Sequence, residues 1–310
     1  MRLSPAEFVE KAVEEMREAL PTGRAVVACS GGVDSTVCAV LAHQAFGDRA
    51  HPVFLDTGFM RAEEAQAVEK ALGRLGIRLE IFPVASRFFQ ALAGVTDPEE
   101  KRKRFRATFY GVLAEIAAEK GARALIQGTI AADVAETQAA VKTHHNVLDL
   151  EPQVWPKELL VLEPVRSLLK PEVREVARYL GLPEEFIRRR PFPGPGLSVR
   201  VVGEVTPERV ELLRRATKIV EEETADLPAF QAFPVLLAEK ATGLREERRH
   251  YGEVLALRFV RSENALSAEV LFPPWEKLQS LVARLLQELP ALSRVLYDLT
   301  PKPPATIEWE

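Results

Sequence analysis

The stretch from Arg24 to Ala42, RAVVACSGGVDSTVCAVLA, constrains the fold more than any other part of the sequence. The apolar run AVVAC has the length of a buried strand, and STVCAVLAHQAF has the pattern of a helix. Between them stand Ser30, Gly31 and Gly32, followed by the carboxylate of Asp34. A hydrophobic core needs neither two adjacent glycines nor a carboxylate at such a junction. The junction therefore predicts a strand, a loop whose backbone approaches a ligand, and a helix.

The first half of the chain repeats this alternation of short apolar segments with helical ones. The predicted strands are AVVAC, HPVFLDTG, RLEIFPV and ALIQG, with a long helix beginning at Asp97 and Pro98 before the last of them. Such alternation predicts an α/β fold with a doubly wound parallel sheet. Ligands bind such sheets at the carboxyl ends of the strands. The loops after Cys29, Leu55, Val84 and Ile126 are therefore the candidate site.

The second half of the chain lacks this regular alternation of strands and helices. From Thr129 to Pro156 the sequence is polar and weakly periodic, and so long a connection is usually functional or disordered. The proline- and glycine-rich run RRRPFPGPGLSVRVVGEV predicts a domain junction near Arg190. We therefore expect domains at 1–190 and 191–310, the second a smaller α+β domain with helices beginning near Pro207 and Trp275.

Composition excludes several classes of protein. The 310 residues carry a net charge of −4, which argues against a general nucleic-acid-binding surface. No apolar run approaches membrane-spanning length, so we expect a cytoplasmic protein with no membrane or nucleic-acid partner. Cys29 and Cys38 are too few for a disulfide framework or a metal cluster. Both are expected to be small buried side chains rather than nucleophiles.

The loop after the first strand is suited to a phosphate group. Several backbone N–H groups and the positive end of a helix converge there, and glycine allows close approach. Ser30 and Ser35 can add hydroxyl donors, and Asp34 can hold a magnesium ion that bridges phosphate oxygens. The loop is neither a Walker loop, which needs Gly-Lys-Ser/Thr, nor the dinucleotide pattern G-x-G-x-x-G. The alternative is a tight strand-to-helix turn with a capping aspartate.

The motif SGGVDS resembles the pyrophosphate loop (PP-loop) of the N-type ATP pyrophosphatases, which have an adenine nucleotide alpha hydrolase-like fold. Later segments resemble the GMP synthase family, in that family's order, from about Arg24 onward. They are FLDTGFMR, DPEEKRK, QGTIAADVAET, VKTHHNV, EPVRSLLKPEVREVARYLGLP, RRPFPGPGLSVRVVGE and YDLTPKPPATIEWE. The resemblance is to the ATP-pyrophosphatase (synthetase) subunit with its C-terminal dimerisation domain, and it implies a homodimer.

This resemblance implies a ligase of GMP and purine biosynthesis. XMP, ATP and ammonia would give GMP, AMP and pyrophosphate through an adenyl-XMP intermediate, with Mg²⁺ as cofactor and ATP as co-substrate. Two alternatives stay open. One is a paralogous ATP pyrophosphatase that adenylates a different carbonyl, and the other is a non-catalytic nucleotide-binding regulator.

The resemblance also implies site residues. ATP and pyrophosphate would be held by Ser30, Gly31, Gly32, Asp34 (the metal ligand), Ser35, Asp56, Thr57, Gln127 and Gly128. A lid at about 129–157 would carry the catalytic residues Asp133, Glu136, Lys142, His144 and His145. XMP would be bound by Arg190, Phe192, Pro193, Gly194, Gly196, Lys302, Thr306 and Glu310. The alternative for the junction is a stiff linker. For the last motif we expect both the binding role and a buried final strand.

The sequence departs from the family pattern at several positions. The lid has Ala131 and Ala132 at its start and Leu148 and Asp149 after HHNV, where the family differs. Residues 245–247, Arg-Glu-Glu, replace a glycine-containing turn. The PP-loop lies about thirty residues into the chain, which leaves no room for an upstream glutaminase domain. We therefore expect a separate class I glutaminase subunit as partner, or the use of free ammonia.

Overall fold

The computed structural model describes residues 4–131, 159–263 and 265–310. Its contacts divide the chain into two compact units. The first comprises Met1–Thr57, Glu63–Val84 and Arg106–Arg189, and the second comprises Gly58–Ala62, Ala85–Phe105 and Arg190–Glu310. The helices are α1 Pro5–Ala19, α2 Val33–Phe46, α3 Glu64–Gly73, α4 Ala85–Leu92, α5 Pro98–Glu119, α6 Lys170–Tyr179, α7 Glu184–Ile187, α8 Pro207–Glu223 and α9 Trp275–Glu288, with short 3-10 helices at Gly47–Arg49 and Gly196–Arg200.

The first unit is built on a five-stranded parallel sheet. Its strands are β1 Arg24–Ala28, β2 Ala50–Asp56, β3 Glu80–Pro83, β4 Ala122–Ile126 and β5 Leu160–Leu162. They lie in the order β3-β2-β1-β4-β5, and every pair is parallel. The order reverses between β1 and β4, which opens a crevice at the carboxyl ends of those strands. The predicted doubly wound parallel sheet is confirmed.

Helices α1 and α2 form as their sequences indicate. Ser4 caps α1, since its side chain accepts a hydrogen bond from the Glu7 backbone N–H at 3.5 Å. Helix α2 is buried on nearly all sides, which fits its almost wholly apolar sequence. On the sheet, Val26 and Leu125 pack in one cluster with Val112 of α5. This apolar cluster holds the strand ends in place beneath the candidate site.

The second unit contains a four-stranded mixed sheet. Its strands are β6 Gln231–Arg245, β7 Arg248–Arg261, β8 Glu269–Val270 and β9 Leu292–Tyr297. Strand β7 pairs antiparallel with β6 and β8 and parallel with β9. Thr206 caps α8 by accepting a hydrogen bond from the Arg209 backbone N–H at 3.3 Å. This separate sheet with its own helices confirms the expected α+β domain.

The second unit also includes two segments that precede Arg190, namely residues 58–62 and 85–105. An aromatic cluster joins them: the Phe59 ring centroid lies 4.7 Å from that of Phe89 and 6.1 Å from that of Phe105. The division into functional domains at 1–190 and 191–310 stays a prediction.

Beyond β9 the chain makes one isolated bridge, between Ala268 and Lys302, and no further strand in the residues described. The expectation of a buried final strand is therefore wrong. The physical reason is local, because Pro303 and Pro304 have no backbone N–H to donate to a sheet. No helix in the described parts of the chain is both long enough and apolar enough to cross a bilayer.

Candidate active site

The loop between β1 and α2 requires its glycines. Gly31 has a φ of +92°, which side-chain-bearing residues rarely adopt. A Cβ atom at Gly31 would also lie only 2.4 Å from Oε1 of Glu64. Gly32 is exposed, and a Cβ atom there would have its nearest neighbour, Ser30 Oγ, at 3.7 Å. The loop thus packs against Glu64 on one side and leaves open space beside Gly32.

Ser30 and Ser35, both predicted for this site, lie next to each other. The Ser30 backbone N–H donates to Ser35 Oγ at 3.1 Å, and the two hydroxyl oxygens are 3.2 Å apart. Ser35 Oγ donates to the Gly32 carbonyl at 3.0 Å. These bonds fix the loop over the first turn of α2, where the helix macrodipole is positive.

Asp34 faces a lysine that sequence analysis did not select. The Lys170 ammonium donates to Asp34 Oδ2 at 2.5 Å. The other carboxylate oxygen, Asp34 Oδ1, is buried and has no hydrogen-bond partner among the residues the structure describes. A buried polar atom without a partner costs about 1–3 kcal/mol. Such an atom beside a glycine loop is suited to accept a cation or a donor from a ligand.

Lys170 is also unusual in its position on α6. It is the first residue of that helix, where the macrodipole disfavours a positive charge. The carboxylate of Asp34 offsets this repulsion. The only available sequence signal was a lysine directly before Pro171 at a helix start, within the segment EPVRSLLKPEVREV.

The carboxyl end of β4 lies directly against the start of α2. A Cβ atom on Gly128 would lie 2.6 Å from the Ser35 backbone nitrogen, so a glycine is needed for this approach. Asp56 and Thr57 stand at the carboxyl end of β2, the former exposed and the latter buried. The structure therefore places the predicted residues of three adjacent strands at one edge of the sheet.

The Gln127 side chain is engaged within the protein. Its Nε2 donates to Glu163 Oε1 at 2.7 Å, and its Oε1 accepts from the Tyr110 hydroxyl at 3.3 Å. Burial raises the pKa of Tyr110 to about 12, so this hydroxyl stays protonated at neutral pH. Glu163 also accepts hydrogen bonds from Thr129 and Arg166. Gln127 and the unpredicted Glu163 thus act to position the strand ends.

The two cysteines are buried, as predicted. Burial raises the pKa of Cys29 to about 12 and that of Cys38 well above its ordinary value. Both are therefore neutral thiols at physiological pH, unsuited to nucleophilic attack. No cluster of three or more His, Cys, Asp or Glu side chains that could hold a metal occurs in the described ranges. Asp34 is one carboxylate beside the loop, where that of Glu64 also lies.

The predicted lid residues lie outside the described residues. This group comprises Asp133, Glu136, Lys142, His144 and His145, together with the departures at Ala132, Leu148 and Asp149. Ala131 is described, and its backbone N–H donates to the Leu168 carbonyl at 3.0 Å.

In the second unit, the proline–glycine junction is held by specific contacts. Arg190 donates to Thr224 Oγ1 at 2.7 Å and to the Leu227 carbonyl at 3.1 Å. Gly196 has a φ of +63°, and a Cβ atom there would lie 2.3 Å from the Phe59 carbonyl oxygen. Gly194 has open space around its Cβ position. The Arg190 guanidinium is thus occupied at the end of α8, whereas the backbone at Gly194 is accessible.

The ring of Phe192 lies close to two guanidinium groups. The Arg61 group is 4.3 Å from its centroid and the Arg200 group 4.9 Å. Pro193 follows directly, and its carbonyl accepts a hydrogen bond from the Gly196 N–H at 2.9 Å. The predicted residues Phe192 to Gly196 therefore form one ordered turn.

The segment 302–310 carries the remaining candidates. Lys302 Nζ donates to the Ala265 carbonyl at 2.8 Å. Thr306 is exposed, and its hydroxyl donates to the Glu308 carbonyl. Glu310 accepts a hydrogen bond from Lys101 at 2.5 Å. All three belong to the same unit as the junction.

Comparison with known proteins agrees with these observations. Residues 218–309 match the family model of the GMP synthase C terminal domain, and residues 5–129 match that of NAD synthase. The structure is also similar to NMN synthetase from Francisella tularensis, with a TM-score of 0.51 at 21% identity, covering 64% of this chain and 79% of that one. This likeness supports the nucleotide hydrolase-like fold of the first unit.

Relatives match over nearly the whole length, and each is named as one subunit of a glutamine-hydrolyzing GMP synthase. The relative from Archaeoglobus fulgidus is 50% identical over 303 residues, covering 98% of each chain. The proteins of the same name from Methanopyrus kandleri and Pyrococcus horikoshii are also 50% identical, covering 99% and 98% of each chain. This chain therefore belongs to the GMP synthase family, with the relatives that form this one subunit of the enzyme.

Proposed function

We propose that this chain is the synthetase subunit of GMP synthase, a ligase that converts XMP, ATP and ammonia into GMP, AMP and pyrophosphate. The observation that carries the proposal is the unpartnered, buried Oδ1 of Asp34 at the mouth of the Ser30–Gly32 loop, unpartnered among the residues described. The full-length similarity to relatives named as a GMP synthase subunit supports the choice of substrate.

The loop is suited to the departing pyrophosphate. Its exposed glycine backbone and the N-terminus of α2 present N–H donors and positive potential to an anion. The Lys170 ammonium, 2.5 Å from Asp34, adds a full positive charge. Asp56, Thr57 and Gly128 flank the loop at the neighbouring strand ends. We assign the ATP site to this edge of the sheet.

Asp34 also fits the role of magnesium ligand. Its Oδ1 is buried and lacks a partner in the described ranges, and Mg²⁺ in nucleotide sites takes one or two protein carboxylates plus phosphate oxygens and waters. When bound, Mg²⁺ would neutralise charge on the leaving pyrophosphate. Lys170 would hold the second carboxylate oxygen and fix the orientation of the side chain.

The chemistry needs no protein nucleophile. The oxygen on carbon 2 of xanthine is a poor leaving group, so it first attacks the α-phosphorus of ATP and pyrophosphate departs. Ammonia then adds at carbon 2, and AMP leaves with that oxygen. Both cysteines are neutral and buried, which accords with this route. Positioning and electrostatic stabilisation would supply most of the rate enhancement.

XMP recognition is proposed for the second unit. The Lys302 ammonium suits a phosphate monoester. The exposed Thr306 hydroxyl would exchange its hydrogen bond with the Glu308 carbonyl for one with the phosphate. The open backbone at Gly194 suits the edge of a planar base. Arg190 and Gly196 would shape the pocket through their contacts with other parts of the unit rather than by touching the base. The lid residues from Asp133 to His145 stay in their proposed catalytic roles.

Two kinds of partner complete the proposal. The relatives are named as one subunit of a glutamine-hydrolyzing enzyme, which implies a separate glutaminase subunit that supplies ammonia. A homodimer is proposed through the sheet of the second unit, where Leu244 and Tyr251 are 79% and 68% exposed. The two residues are diagonal neighbours on the paired strands β6 and β7, and contiguous exposed apolar patches mark association surfaces. We place the protein in the cytoplasm.

Exchange of radiolabelled pyrophosphate into ATP tests the function. We expect the exchange to require XMP. Labelled pyrophosphate enters ATP by attacking the adenylate, and the adenylate forms only when XMP is present. Exchange that requires a different acceptor would instead identify a paralogous adenylating enzyme. Binding of ATP without any exchange would identify a nucleotide-binding regulator.

A further inference from the structure

Three buried cations lie beneath the segment 302–310. Arg258 donates to the Ile307 carbonyl at 2.8 Å and to the Thr306 carbonyl at 2.6 Å. Arg200 forms a two-point ion pair with Glu308 at 2.7 and 2.8 Å. Lys101 binds Glu310. The side chains of these three cations are at most 2% exposed, and buried charges of this kind are costly unless they are paired.

Polar contacts contribute much of what holds this segment. Within it, Ile307 is buried and the other side chains are half-buried or exposed. Trp309 is 38% exposed, and the sheet pairing of the segment is limited to the isolated bridge between Lys302 and Ala268, so apolar burial and sheet pairing leave its last residues weakly held. The bridge to Ala268 holds Lys302, whereas the position of residues 306–310 depends on where the three cations hold their partners.

Lys101 differs from its neighbours. Residues 101–104 read Lys-Arg-Lys-Arg, and of these Lys101 alone is buried. It stands in the first turns of α5, where the helix macrodipole disfavours a cation. Its ammonium donates to the Val201 carbonyl at 2.6 Å and to Glu310 Oε2 at 2.5 Å. Helix stability does not explain a buried lysine here, whereas anchoring of a distant segment does.

The electrostatics of the pair indicate a geometric rather than a stabilising role. Burial lowers the pKa of Lys101 and raises that of Glu310, and the hydrogen bond between them opposes both shifts. Replacing such a pair with apolar residues of similar volume is often neutral or stabilising, whereas removing one partner is destabilising. The ion pair between Lys101 and Glu310 therefore fixes the position of Glu310 more than it stabilises the fold.

We propose that Lys101 is a positioning residue for the substrate monophosphate, because it fixes Glu310 and thereby holds the segment 302–310 in its binding arrangement. The inference rests on the proposed function, since it takes Lys302 and Thr306 to bind XMP. Lys101, in the first half of the sequence, would thus act in the site formed by the segment 302–310.

Kinetics of the purified Lys101→Met variant test this role. We expect the KM for XMP to rise about tenfold or more, as for loss of one partner of a buried charge pair, while the KM for ATP stays close to wild type. Glu310→Gln should produce a similar rise. The double variant should be no worse than the single ones, since coupled residues are not additive.

Lys120→Met is the matched control. It breaks another lysine ion pair, that of Lys120 with the half-buried Glu80 at 2.7 Å in the first unit. It should leave the KM for XMP unchanged. Hydrogen exchange adds an independent readout: amides of 302–310 should exchange faster in Lys101→Met, and the rest of the second unit should not.

The proposal is wrong if folded Lys101→Met keeps the wild-type KM for XMP, or if the KM values for XMP and ATP rise equally. Should Lys101→Met fail to fold, Glu310→Gln decides by the same criteria. Failure of the underlying function would look different, because wild-type protein would then form no AMP in an XMP-dependent manner.

Discussion

The two carboxylate oxygens of Asp34 have different surroundings. Asp34 binds Lys170 through one oxygen and leaves the other buried without a partner among the described residues. A residue that only capped a helix would have no need of an opposing lysine. The alternative of a tight turn with a capping aspartate does not explain this lysine, and Gly32, rather than Asp34, is the N-cap of α2.

Asp34→Asn should separate catalysis from folding. The amide keeps the shape but loses the charge, so XMP-dependent AMP formation should fall by about 10²-fold or more. The melting temperature without ligand should stay within a few degrees of wild type, because Lys170 is about a third exposed and can be hydrated. Steady-state assays and thermal unfolding measure the two effects. Retention of full turnover would contradict the role of Asp34.

The hairpin between β6 and β7 turns without a glycine. Its two-residue turn consists of Glu246 and Glu247, with φ values of +47° and +62°. Two-residue hairpin turns with positive φ at both positions favour Asn-Gly. Residues 245–247 contain no glycine, and the strands nevertheless pair up to Arg245 and Arg248.

Glu247→Gly should therefore stabilise the protein. Glycine adopts positive φ without the penalty of about 1 kcal/mol that other residues incur, so the free energy of unfolding should rise by several tenths of a kcal/mol or more. Urea denaturation measures the change. Arg249→Gly, two residues further in an ordinary strand, is the control and should destabilise. A lower stability of Glu247→Gly would show that the turn is not strained.

Across the whole chain, local sequence patterns predict the strands and helices of the first sheet, but they do not predict which distant segments pack together. The strands β1 to β4, helix α5 and the loops at the strand ends follow from apolar runs, caps and glycine placement. Segments 58–62 and 85–105 pack with residues after Arg190, and no local pattern near Phe59 or Lys101 indicates this. The same reason explains why Lys170 and Glu163 were missed, since their partners lie far away in sequence.

The parts of the candidate site that are formed by backbone could be predicted from the sequence. Glycines at Gly31, Gly128 and Gly196 are required by positive φ or close approach, and each stands in a motif that sequence analysis selected. Gln127 and Arg190 were selected as ligand contacts, yet their side chains bind within the protein. A sequence motif indicates which residues lie near a site. It does not show whether a residue contacts the substrate or instead positions the residues that do.

A crystal structure with ATP and Mg²⁺, in the absence of XMP, tests the assignment of the ATP site to the loop between β1 and α2. This assignment requires the β- and γ-phosphates to contact the backbone N–H groups of the loop from Ser30 to Ser35, with the metal on Asp34. A triphosphate bound elsewhere, with this loop empty, would contradict it.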